Sequence, residues 1–99
     1  MFPFEETFLK ETKEYIEVVR LFDKDTDNIE LNWHRDKEDR EVTVIEGKEW
    51  QIQFENELPQ TLQEGKSFLI HKNKWHRIIN KNRSNLKILI RKEKEKNEK

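Results

Sequence analysis

Short apolar–polar alternations, each closed by turn residues, narrow the fold more than any other feature of this chain. In Trp50-Gln51-Ile52-Gln53-Phe54, the three apolar side chains fall on one face and the two glutamines on the other. A period of two belongs to a strand, whose successive side chains point to opposite sides. Val42 and Val44 alternate with Thr43 and Ile45 in the same way within residues 40–46, and Gly47 supplies the following turn.

The remaining segments read in the same manner. Residues 15–22, Tyr-Ile-Glu-Val-Val-Arg-Leu-Phe, are rich in β-branched and aromatic side chains and predict a strand; residues 8–20 also fit an amphipathic helix. A polar cluster at 23–28 predicts a loop. Ile29, Leu31 and Trp33 then share one face of an expected strand over 29–34, with His34 at its end. Further strands are expected over 58–62, where Pro59 suits an edge or a strand start, and over 67–70, 75–79 and 86–90. Many short strands with turns between them indicate an all-β sandwich or barrel. The division expected is an N-terminal arm (1–14), a β domain (15–91) and a charged C-terminal tail (92–99).

Composition limits the function classes. Charged residues make up 41% of the 99 and hydrophobic ones 32%, but the net charge is only −1, so self-repulsion does not oppose folding. Twenty basic against twenty-one acidic residues leave no excess to hold a phosphate backbone, so nucleic acid is not an expected partner. The absence of cysteine removes disulfides and thiolate ligands and fits a cytoplasmic setting. No apolar run approaches the roughly 18 residues of a membrane span, and the N-terminus lacks a signal-peptide pattern. So small an apolar inventory makes a marginal core, and a homodimer is expected to hide more of it.

The segment Gly65-Lys-Ser-Phe-Leu-Ile-His71-Lys-Asn73-Lys-Trp-His76-Arg-Ile-Ile-Asn80 resembles the second motif of small cupins. Gly65, His76 and Asn80 hold their places, His71 stands where Pro is usual, and Asn73 stands where Gly is usual. Asn tolerates the positive φ of a turn glycine. The first cupin motif is matched only in part, by Asn28, then His34-Arg35-Asp36, then Gly47. Counting back from Gly47 puts Arg40 at the motif's glutamate position, whereas counting forward from Asp36 puts Glu41 there. A bulge is needed to turn Glu41 inward.

The resemblance covers roughly residues 28–90. It implies a double-stranded β-helix, the jelly-roll barrel of cupins, with His34, Asp36, Glu41 and His76 as ligands of a divalent metal (iron, manganese, nickel or zinc). Imidazole and carboxylate suit such ions and leave positions open for substrate. Arg40, Gln51, Gln53 and His71 are the expected polar contacts of a ligand pocket.

Two functions follow. One is a metal-dependent enzyme performing dioxygenase, isomerase or lyase chemistry on a small polar or anionic metabolite. The other is a metal-free ligand-binding or dimerisation module with Arg40 inside the barrel, where its guanidinium would oppose a metal and pair with an anion. Simpler roles stand beside these: Asp36 and Glu41 solvated, Arg40 paired with Glu38 or Asp36, His71 capping a strand end. Trp33, Trp50 and Trp75 are expected in the core or at a dimer interface.

Overall fold

A computed structural model of the chain describes residues 3–95. Its strands are β1 (Glu5–Glu11), β2 (Tyr15–Phe22), β3 (Arg40–Glu46), β4 (Trp50–Phe54), β5 (Gln60–Thr61), β6 (Ser67–Ile70), β7 (His76–Asn80) and β8 (Leu86–Glu93). They form two antiparallel sheets, ordered β1-β2-β8-β3-β6 and β5-β4-β7. The chain crosses repeatedly between the sheets, as in a jelly roll.

Alternation along each strand sends one set of side chains between the sheets. Val18 and Phe22 of β2, Val42 and Val44 of β3, and Ile88 and Ile90 of β8 pack in one cluster with Trp50 and Ile52 of β4. Trp50 is fully buried, and its indole Nε1 donates to the Ser84 carbonyl at 2.6 Å, which satisfies its polar atom. Gly47 permits a close approach: a Cβ there would lie 2.7 Å from Cδ1 of the fully buried Leu86.

Several sequence expectations change. Residues 29–34 are not a strand. The Asp27 carboxylate accepts from the Ile29 N–H at 3.0 Å and caps a 3-10 turn over Asn28–Glu30, leaving Ile29 exposed. Only a bridge at His34 remains of the expected pairing. The strand expected over 58–62 shrinks to Gln60–Thr61, with Leu58 85% exposed before Pro59. Residues 15–22 are a strand, not a helix, because β8 pairs with them along their full length. Within the segment read as an arm, β1 pairs with β2, and β8 runs to Glu93, into the segment read as a tail. Residues 96–99 of that tail lie outside the described residues. No helix among the described residues is long and apolar enough to cross a membrane.

Candidate metal centre

His76 opens β7, where its register partner on β4 is Phe54. From the other side the chain reaches it at His34. The His34 N–H donates to the His76 carbonyl and the His76 N–H to the His34 carbonyl, both at 2.9 Å. This antiparallel exchange holds the two imidazoles edge to face, with centroids 4.2 Å apart. His76 is only 3% exposed, whereas His34 stands at the exposed rim.

Asp36 follows in a loop that is stitched to the loop before β7. Its carbonyl accepts from the Asn73 N–H at 2.7 Å, and the Asp39 carboxylate accepts from the Lys72 N–H at 2.7 Å. Asn73 has φ of 62°, the left-handed geometry expected from its motif position. The potential ligand atoms of His34, Asp36 and His76 all lie within 4.8 Å of one another.

Backbone contacts fix which imidazole nitrogens face the centre. His76 Nδ1 lies 2.7 Å from the Lys74 carbonyl and His34 Nδ1 lies 3.2 Å from that of Asn32. A carbonyl only accepts, so each Nδ1 carries a hydrogen and the neutral ring keeps its lone pair on Nε2. His76 Nε2 then faces Asp36 Oδ2 at 3.4 Å. Oδ2 is buried and has no hydrogen-bond partner among the described residues. Two lone pairs facing each other in a buried place repel unless a cation or a proton lies between them, and an unsatisfied buried acceptor costs about 1–3 kcal/mol.

Arg40, on β3, completes the surroundings. Its Nη2 is 3.2 Å from Asp36 Oδ1 and 3.1 Å from Glu38 Oε1, while its Nε is buried without a hydrogen-bond partner among the described residues. Partial burial is the largest influence on His34 and lowers its pKa, with the Asn32 carbonyl opposing and the His76 charge assisting. Burial raises the pKa of Asp36, but the adjacent His76 imidazole and the Arg40 charge outweigh it and hold the carboxyl below its ordinary value. Neutral imidazole and ionised carboxylate are the forms that ligate metals.

The group lies in a cavity of about 320 Å³ between the sheets. Phe22, Val42, Ile52, Ile88 and Ile90 line its body, and His34, Asp36, Arg40 and His76 supply polar atoms. This suits a small ligand with an apolar body and a polar end.

Of the residues expected from sequence, the fold brings together His34, Asp36, His76 and Arg40. Glu41 stands apart. It pairs across β3 with Leu69 and Arg91 and is exposed, because β3 runs in regular register from Arg40 to Val44 and its only shift comes later, between Val44 and Glu46. Arg40 is therefore the residue turned inward. Gln51 and Gln53 lie on the face of β4 opposite the buried Trp50 and Ile52, and His71 is exposed in a loop. None of the three lines the cavity. Asn80 serves the site indirectly: its amide donates to the Lys24 and Thr26 carbonyls, and Asn28 exchanges two hydrogen bonds with its backbone. Sequence reasoning missed a repeated tripeptide, Trp-His-Arg, at 33–35 and again at 75–77. Each copy centres on one of the two histidines.

No protein-family model matches this sequence, and no curated protein matches it significantly. In three dimensions it is similar to an RmlC-like cupin from Shewanella frigidimarina NCIMB 400, with a TM-score of 0.76 over 96% of this chain and 79% of that one at 17% identity. It is likewise similar to a cupin domain from Bordetella pertussis Tohama I, with a TM-score of 0.73 over 95% of this chain and 96% of that one at 15% identity. KdgF from Halomonas sp. matches with a TM-score of 0.73 over 94% of this chain and 82% of that one at 17% identity.

Proposed function

The chain has the cupin fold, and from that premise we propose that it binds one divalent transition metal through His34, Asp36 and His76 and holds a small oxygen-bearing ligand beside it. The observation that carries this reading is a pair of buried polar atoms without hydrogen-bond partners among the described residues, the acceptor Asp36 Oδ2 and the donor Arg40 Nε. The acceptor faces His76 Nε2 and calls for a cation; the donor calls for an oxygen. Two histidines and one carboxylate form the donor set typical of non-haem iron and related ions, with positions left open.

When bound, the metal supplies Lewis acidity toward a ligand oxygen. The protein's own groups do the rest. Asp36 and Glu38 both pair with the Arg40 guanidinium, so two carboxylates oppose its repulsion of a cation. Arg40 orients the polar end of a carboxylate or similar group, and the apolar wall formed by Phe22, Ile52, Ile88 and Ile90 takes a hydrocarbon body and excludes water. The chemistry open to such a site is dioxygenation, isomerisation or elimination on a small anionic metabolite.

The inward Arg40 favours a second reading, in which a proton on His76 bridges to Asp36 and the cavity holds an anion without metal. Titration of tag-free protein with zinc and manganese separates the two. The metal reading expects one ion per chain, with affinity lowered at least tenfold by Asp36→Asn and by His76→Ala. Absence of binding, together with binding of small carboxylates that is lost in Arg40→Met, would establish the anion module instead.

Self-association is proposed through β1, the edge of the larger sheet, where Phe8 is 61% and Leu9 51% exposed. Sedimentation over a graded concentration range tests it, and a monomer throughout would count against it.

A further inference from the structure

The two copies of Trp-His-Arg meet at one point in the fold. His34 and His76 are the paired residues of an antiparallel bridge, so their neighbours pair crosswise, Trp33 with Arg77 and Arg35 with Trp75. The ring contacts follow this order: the Arg77 guanidinium carbon lies 4.8 Å from the Trp33 centroid, and that of Arg35 lies 5.2 Å from the Trp75 centroid. Alternation puts both histidines on the inner face and both cation–π pairs on the outer face of the same short bridge. Arg77 is tied down further, since its Nε donates to Gln53 Oε1 at 2.9 Å, and the Gln53 amide donates to the Glu57 carbonyl at 3.0 Å.

The bridge needs such support. The chain around His34 belongs to no strand, and among the described residues its backbone contact with β7 is the single pair of hydrogen bonds at His34 and His76. We propose that Trp33, Arg35, Trp75 and Arg77 form a two-fold clasp on the outside of the sheet, and that this clasp positions the two imidazoles on the inside. They are positioning residues: none touches the ligating atoms, and each acts through the backbone of the histidine beside it. The inference rests on the metal reading for its functional consequence but not for its structural one.

Charge makes the clasp distinguishable from simple electrostatics. Arg35 and Arg77 repel a divalent cation, so removing them for electrostatic reasons alone would tighten metal binding. Loss of positioning weakens it.

The test uses full-length wild type, Trp33→Leu/Trp75→Leu, Arg35→Met/Arg77→Met and Arg35→Lys/Arg77→Lys. Two readouts are taken: cobalt(II) affinity with its visible absorption spectrum, and amide hydrogen exchange at His34 and His76 in metal-free protein. Expected results are a loss of about 10–100-fold in cobalt affinity with an altered spectrum in the Leu and Met variants, and recovery in the Lys variant, whose ammonium groups still lie over the rings. Exchange at His34 and His76 should accelerate in the Leu and Met variants while Val42 and Ile88 stay protected. Unchanged exchange at the two histidines would overturn the clasp whether or not metal binds. Tighter cobalt binding in the Met variant would also overturn it. Wild-type protein that binds no cobalt but shows the expected exchange pattern would reject the metal reading and keep the clasp.

Discussion

At the scale of single residues, Asn80 shows how one side chain sets the geometry of a site it does not enter. Its amide donates to the Lys24 and Thr26 carbonyls at 2.9 and 3.1 Å, and its Oδ1 accepts from the Arg83 N–H at 3.2 Å. The segment leading from β2 toward His34 is thereby anchored to the end of β7. Asn80→Ala removes three hydrogen bonds, each contributing about 0.5–1.5 kcal/mol, and should lower stability by about 2 kcal/mol in urea denaturation. A change within 0.5 kcal/mol would show that water replaces these contacts without loss. The motif position of Asn80, like those of His76 and Asn73, was legible in the sequence because each answers a local demand. The choice between Arg40 and Glu41 was not. Two motif counts disagreed by one residue, and a slip of one residue turns a strand side chain to the other face. Only the register of β3 against β6 and β8 resolves it.

Elements introduce a second kind of dependence, because an edge strand is held by what its cross-strand pairs supply. Glu6 of β1 pairs with Arg20 of β2 and accepts from its Nε at 2.7 Å. Burial by itself raises the Glu6 pKa, but Arg20, with Lys92 and Arg40, holds it below its ordinary value of 4.5. A carboxyl depressed on folding favours the folded state above its unfolded pKa, and that contribution disappears as pH falls through the folded value. Wild-type stability should therefore fall more steeply below pH 4.5 than that of Glu6→Gln, measured by denaturation from pH 6 to pH 3. Parallel curves would mean that the pair is screened into insignificance. β1 itself was hard to read, since Phe8 and Leu9 are set among charged residues and a register shift between Phe8 and Lys10 breaks the period. The opposite error arose at 29–34. Ile29, Leu31 and Trp33 show clean alternation, yet the Asp27 cap and the Asn28–Asn80 hydrogen bonds win locally, and the pattern has no neighbouring strand to satisfy it. Alternation marks a strand only where a partner strand accepts its backbone groups.

For the whole molecule, the candidate metal centre is where the two layers and the connection between them meet. His76 comes from β7 of the smaller sheet, Arg40 from β3 of the larger one, and His34 and Asp36 from the segment between β2 and β3. A metal held there ties the layers together and stabilises the folded state, by about 2.7 kcal/mol at a free concentration 100 times its Kd. The most direct measurement is diffraction from crystals grown with manganese or zinc, with data collected at the absorption edge of the metal. One anomalous peak within coordination distance of His34 Nε2, His76 Nε2 and Asp36 Oδ2 is the expected result. Fully refined crystals with no peak there, and Asp36 hydrogen-bonded directly to a protonated His76, would contradict it.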